Sequence, residues 1–305
     1  MIRSVLKYLL VVSTGLVLVG CATNPYAATN KVYRKQAKVY ARTLRAIPEP
    51  SQENTPYTKG DYWVGATNFN MRKPNFVIIH HTAQNSTAQT LKTFTSPATK
   101  VSAHYVIGRD GKVYQMLNDY LRAWHGGVSK WGNNTDINSA SVGIELDNNG
   151  AEPFAEAQIN SLLGVLETLK KKHDIPTANF IGHADIAPTR KNDPNPTFPW
   201  KQLAEKGFGL WYDADVLDSV MVANARVDAT TLTDTTLLQP EFLAFKKEPV
   251  YKLPENFNPK DALRIIGYDV RNLDAAIRAF KLHFIQTEVN ATLTEKDKII
   301  LYNLY

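Results

Sequence analysis

Between Phe180 and Pro194 the chain carries one imidazole, His183, two carboxylates, Asp185 and Asp193, and two cations, Arg190 and Lys191. Imidazole and carboxylate together make a donor set for a divalent metal such as zinc. A hydrolytic zinc takes three protein ligands and keeps a further position open, so a third ligand must come from elsewhere. The apolar run Phe76-Val-Ile-Ile-His80-His81 offers one. Alternation along a strand sends His80 and His81 to opposite faces, so only one of them can serve. Spacing alone leaves the set open. Asp185 competes with Asp193, and His104, His125 and His173 are further candidates. A centre of this type acidifies a water and polarises a carbonyl, the two requirements for hydrolysing an amide.

The surrounding pattern supplies elements that could hold such residues. Phe76–His80 reads as a buried strand. Tyr105–Met116, with Arg109-Asp110-Gly111 inside it, reads as two strands joined by a turn. Ser141–Leu146 is a further short strand. From Pro153 to about Lys172, Ile159, Leu162, Leu163, Leu166 and Leu169 recur at helical spacing. Phe180–Ile181 returns to strand, and Pro188 and Pro194 predict that the remainder of that segment is loop. The expected fold is therefore α/β, a mixed central sheet flanked by helices, over residues 71–213. Residues 214–255 read as a linker, Thr-rich at Ala229–Thr236, and residues 256–305 as a small helical module. In that module Asn258-Pro259 starts a helix that Gly267 closes. Leu273, Ile277, Phe280 and Phe284 line a second, and Thr294–Asp297 forms a capping box before a third. A unit this short has a thin core and is expected to lean on its neighbour.

The N-terminal residues bear on compartment. Arg3 and Lys7 precede a short apolar run that ends in Leu18-Val19-Gly20-Cys21. Such a run suits a signal-peptide core better than a membrane span. Small residues before a cysteine resemble a lipoprotein lipobox. Cys21 is the only cysteine and cannot form an internal disulfide. The expectation is removal of the signal over residues 1–21, lipidation of Cys21, and anchoring on the periplasmic face of the outer membrane. Residues 22–70 read as a tether containing a basic helix, with Lys31, Arg34, Lys35, Lys38, Arg42 and Arg45 at helical spacing and Pro48, Pro50 and Pro56 beyond it. The net charge of +6 falls to +4 when Arg3 and Lys7 leave with the signal. That mild excess suits anionic phospholipid or cell-wall polymer, and no nucleic-acid-binding motif accompanies it.

Several short motifs occur in one order: Ile79-His80-His81-Thr82, Ser102-Ala103-His104-Tyr105, Ala123-Trp124-His125-Gly126, Gly143-Ile144-Glu145-Leu146, Gly182-His183-Ala184-Asp185, Arg190–Pro194 and Phe198-Pro199-Trp200. Together they resemble the N-acetylmuramoyl-L-alanine amidases of the amidase-2 type, a group that includes animal peptidoglycan recognition proteins. The resemblance covers about residues 70–213, lipid-anchored outer-membrane members share the lipobox and C-terminal module, and the helices of residues 256–305 resemble a peptidoglycan-binding module. It implies one zinc held by His80, His183 and Asp193, the last being cysteine in some relatives. It implies Glu145 as the base that takes a proton from water and passes it to the leaving amine, and Lys191 as a stabiliser of the oxyanion. It further implies peptidoglycan or muropeptides as substrate, cut between N-acetylmuramic acid and L-alanine. Trp124, His125 and Trp131 become candidate aromatic surface for substrate, and Arg190 a candidate grip for a substrate carboxylate. His81 becomes a candidate groove or packing residue, His104 a support for the sheet, and Asp185 a support for the loop.

Overall fold

The computed structural model describes residues 24–45, 71–215, 217 and 253–305. Residues 24–45 belong to one compact unit and the other described residues to a second. In the first, α1 (Ala27–Arg45) forms where the basic residues predict a helix, and none of its residues is buried. The lipobox with Cys21, the prolines at 48, 50 and 56, and nearly all of the 214–255 linker lie outside the described residues. No helix among the described residues is long and apolar enough to cross a membrane.

The second unit is built on five strands: β1 (Phe76–His81), β2 (Tyr105–Ile107), β3 (Val113–Gln115), β4 (Ser141–Leu146) and β5 (Phe180–Gly182). Their order across the sheet is β3-β2-β4-β1-β5. Pairs β2–β4, β4–β1 and β1–β5 are parallel, and only the β2–β3 hairpin is antiparallel. The hairpin turns at Gly108–Gly111, where Gly111 takes φ +78° and packs against the Ala157 carbonyl. A side chain there would be strained in φ and blocked in space.

The parallel strands are buried on both faces, which explains their nearly unbroken apolar sequence. One face, carrying Val77, Ile79, Val142, Ile144, Leu146 and Ile107, packs on helix α4 (Glu156–His173) through Ile159, Leu162, Leu166 and Leu169. The helix begins at Glu156, later than the expected Pro153. Asn149 and Glu152 side chains accept backbone N–H groups of residues 149, 151 and 152 and hold the preceding stretch as a turn. The opposite face of β1 and β5 gathers Ile78 and Ile181 with Ile137, Ile186 and Ala187. It is this second face that carries His80.

Short helices complete the layer: α2 (Thr87–Thr95), capped by Ser86, α3 (Ile137–Ala140), capped by Asp136, α5 (His183–Ile186) and α6 (Trp200–Glu205). The α5 turn corrects the expectation of loop after Ile181. Gly182 is extended and donates its N–H to the Asp185 carboxylate at 2.7 Å, which starts one helical turn on His183.

The C-terminal helices are α7 (Pro259–Ile266), α8 (Leu273–Phe284) and α9 (Glu295–Leu304). Asn258 caps α7, Gly267 follows it at φ +137°, and Thr294 with Asp297 forms the capping box of α9, all as the sequence predicts. Their shared core includes Leu263, Phe280, Ile300 and Leu301, and extends to Ala184 of α5 and to Trp131 and Trp211. The module does lean on the sheet domain. Gly132 N–H donates to Gly267 O at 2.7 Å, and Gln286 reaches the Phe198 carbonyl at 2.6 Å.

Candidate metal centre and active site

Strand register brings the candidate residues into one row. His80 on β1 is the direct register partner of Glu145 on β4, and Ile79 pairs with Gly182, the last residue of β5. His183 follows immediately on α5. Three adjacent parallel strands thus deliver Glu145, His80 and His183 at their carboxyl ends, where open parallel sheets place their sites.

Asp193 returns to this row from the loop after α5. Ala184 N–H donates to the Asp193 carbonyl at 2.8 Å, which fixes the loop beside the turn it left. The Asp193 Oδ2 atom lies 3.1 Å from His183 Nδ1 and 3.3 Å from His80 Nδ1, and the two Nδ1 atoms are 2.8 Å apart. All three side chains are buried. Four ligand atoms at tetrahedral angles and about 2.1 Å from zinc would be separated by about 3.4 Å. Two nitrogens and one carboxylate oxygen converging at nearly that spacing fit such an ion. Among the described residues this is the one His/Cys/Asp/Glu cluster with ligand atoms so placed.

The electrostatics favour the ligating forms. Burial, reinforced by His183, lowers His80 to about 4, so its imidazole is neutral near pH 7. Burial works against ionised Asp193, but hydrogen bonds and charge from His183 and His80 outweigh it and hold the carboxyl well below its ordinary range. Glu145 moves the other way. Burial first, then the neighbouring Asp193, pushes it up to about 8, with Lys191 opposing. Its sole ion-pair contact among the described residues is His80 Nδ1 at 4.0 Å. Glu145 is therefore beside the three converging atoms without belonging to them, and no salt bridge to a lysine or arginine accounts for its burial.

Lys191 is exposed on the same loop, and among the described residues its ammonium enters no hydrogen bond or ion pair. Arg190 is committed to the protein. Its Nε donates to Val128 O at 2.9 Å and its Nη2 to Gly126 O. The expected grip on a substrate carboxylate is replaced by a clamp on the 126–128 loop. Trp124 is 55% exposed, its backbone pinned to Ser102. His125 does not present the aromatic surface expected of it. Its ring is buried behind His80, with Nδ1 3.0 Å from His80 Nε2. Trp131 packs edge-on against Tyr268 at 5.0 Å and joins the core of the module.

The other competing groups sit elsewhere. His81 points to the opposite sheet face, where its Nδ1 accepts from Asn195 N–H at 3.0 Å. His104 accepts from Gly143 N–H and contacts Leu121 O, bracing β2 against β4. His173 meets Asp119 at 3.1 Å. Asp185 accepts from Gly182 N–H, Tyr268 Oη and His283 Nδ1, so α5 is held from α7–α8 as well as from β5. Sequence reasoning missed Tyr268, His283 and Asn138. Asn138 Oδ1 accepts from both His125 N–H and Gly126 N–H. Single polar residues scattered over two helices and the stretch after a third carry no spacing signal that would have identified them.

The family model for N-acetylmuramoyl-L-alanine amidase matches residues 70–196. The N-acetylmuramoyl-L-alanine amidase AmiD of Escherichia coli is 34% identical over 240 residues, which span 73% of this chain and 79% of that protein. The structure of E. coli AmiD with the substrate anhydro-N-acetylmuramic acid-L-Ala-D-gamma-Glu-L-Lys aligns with a TM-score of 0.61 and 27% identity, covering 83% of this chain and 95% of the other. AmpDh3 of Pseudomonas aeruginosa, in complex with anhydromuramic pentapeptide, aligns with a TM-score of 0.60 and 26% identity, covering 82% and 98%.

Proposed function

This chain belongs to the amidase-2 family and is an N-acetylmuramoyl-L-alanine amidase acting on peptidoglycan or muropeptides, and from that premise we propose that its hydrolysis depends on one zinc ion held by His80, His183 and Asp193. The observation that carries the reading is the convergence of two buried imidazole nitrogens and one buried carboxylate oxygen beside a buried glutamate that stands apart from them. Bound there, zinc would polarise the scissile carbonyl and acidify the attacking water.

The chain's own groups do the rest. Glu145 takes the proton of the attacking water and returns it to the departing L-alanine amine, and a carboxyl lifted towards neutral pH is matched to both transfers. Lys191, exposed on the loop that carries Asp193 and acting electrostatically on Glu145, is the cation that opposes negative charge developing on the carbonyl oxygen. Trp124 offers an exposed ring for stacking on sugar or peptide. Arg190 supports this surface indirectly by fixing the carbonyls of Gly126 and Val128.

The same reading places the enzyme on the periplasmic face of the outer membrane through lipid on Cys21. Helix α1 supports it. Six cations and no acids fall on that helix, while Val32, Val39, Tyr40 and Leu44 stand exposed on its other side. A helix of this composition lies on an anionic bilayer surface next to an acyl anchor.

A soluble protein of residues 22–305 tests the chemistry. Incubated with zinc and with muramyl peptides in intact and 1,6-anhydro form, it should release free stem peptide by mass spectrometry, and chelation should stop the release. A zinc-loaded protein that releases no stem peptide from either form would overturn the reading.

A further inference from the structure

His125 is fully engaged inside the protein, and its neighbours fix the direction of every hydrogen bond it makes. The chain of contacts runs from His80 Nε2 to His125 Nδ1 at 3.0 Å, from His125 Nε2 to Ser141 Oγ at 3.1 Å, and from Ser141 Oγ to Ile137 O at 2.6 Å. A carbonyl oxygen can only accept, so the Ser141 hydroxyl proton is committed to Ile137. Ser141 Oγ must then accept from His125, and His125 carries its proton on Nε2. Among the described residues no carboxylate touches His125, and its ring is buried, so the imidazole is neutral and has that single N–H. Its Nδ1 is consequently a bare acceptor. His80 must donate from Nε2, which leaves the His80 Nδ1 lone pair free, and Nδ1 is the atom that converges with His183 and Asp193.

The position of the ring is equally determined. A Cβ on Gly143 would stand 2.4 Å from His125 Cγ, so the ring occupies the space that any other residue on β4 would fill. Asn138 Oδ1 holds the His125 backbone from the other side. A buried polar chain in which every member has its partner gives one geometry and one tautomer.

We propose that His125 is a positioning residue for the amidase reaction: it locks His80 into the tautomer and orientation that expose Nδ1 to the metal, with Ser141 and the bare backbone of Gly143 locking His125 in turn. The proposal rests on the zinc reading. His183 is served differently, its Nε2 lying 3.3 Å from Gly126 O, a direct backbone acceptor. His80 therefore takes its partner from a side chain that substitution can remove, whereas the acceptor for His183 is a backbone carbonyl, itself held by Arg190.

Two measurements test it. In long-range proton–nitrogen spectra of the zinc-loaded wild type, His125 and His80 should both be protonated at Nε2; His125 protonated at Nδ1 would overturn the proposal. Zinc affinity by chelator competition should fall about 10–100-fold in His125→Leu, the range for losing an outer partner of a ligand. Most of it should return in His125→Asn, whose Oδ1 can accept where Nδ1 did. The cobalt-substituted visible spectrum should shift in the leucine variant and revert in the asparagine one. A folded His125→Leu with wild-type affinity and spectrum would sink the proposal, as would His125→Asn losing zinc as fully as His80→Ala. Failure of the zinc reading itself would look different, with wild type and His80→Ala binding zinc equally.

Discussion

Glu145 shows how one side chain can be set apart from its neighbours chiefly by burial. It lies 4.0 Å from His80 Nδ1, yet it is the carboxyl pushed up to about 8 while nearby Asp193 is driven down by the two imidazoles. Replacing it by Gln should leave zinc content unchanged and lower kcat by about 10²–10⁴-fold, the usual range for a lost general base. Metal content and turnover measured on one preparation check this. A second consequence concerns stability of the chelated, metal-free protein. Unfolded, Glu145 titrates near 4.5; folded, near 8. Between those values the folded state holds a proton that the unfolded state has released. The contribution is fully present below about pH 4.5 and is lost as pH rises through 8. Urea unfolding should therefore show wild type losing ground to Glu145→Gln across that window, by roughly a few kcal/mol. The two aspartates separate by a simpler measurement. Asp193→Ala should lose zinc more severely than the roughly 10–100-fold cost of an outer partner, whereas Asp185→Ala should stay within that cost. The opposite ranking in a chelator titration would exchange their roles. The clustering of His80, His183 and Asp193 with Glu145 beside them was legible in the sequence because ordered motifs surround them. The fates of Arg190 and His125 were not, because whether a polar side chain meets substrate or its own backbone depends on contacts between distant segments.

Among elements, the parallel strands were the most legible, since burial on both faces leaves an apolar run with turn residues at its ends. The α5 turn was hidden by Pro188 and Pro194, although Gly182 and Asp185 supplied its capping chemistry. The three C-terminal helices announced themselves by their caps at Asn258, Gly267 and Thr294. What the caps do not reveal is Lys281. It stands in the apolar face of α8, fully buried, paired with Asp297 of α9 at 3.1 Å and bonded to Asn290 and Thr292 O at 3.0 Å each. Helical periodicity reads such a lysine as a surface residue. Removing it strands the Asp297 carboxylate and strips the loop between α8 and α9 of its donor. Lys281→Ala should cost about 3–5 kcal/mol in chemical unfolding. A change under about 0.5 kcal/mol, the usual range for a surface substitution, would mean the pair is solvated.

For the whole chain, the sequence divides labour between a site-bearing unit and a basic N-terminal helix. If Cys21 carries the anchor, Cys21→Ser should move the protein from the membrane pellet to the soluble fraction. With the lipid in place, replacing Lys31, Arg34 and Lys38 by Gln should reduce binding of the detergent-purified protein to anionic vesicles, most clearly at low salt, where charge is least screened. Within the catalytic unit, the pairing of β1 with β4 carries a consequence for folding fidelity. His80 meets Glu145 in register, and its neighbour His81 points to the far side of the sheet. Slipping β1 by one residue would turn the wrong imidazole towards the ligand cluster and send His80 into the packed core. An imidazole would still face the cluster after such a slip, so the histidine doublet makes the donor set there insensitive to it, and the misalignment would be felt instead as the cost of burying His80 among the apolar side chains packed on α4.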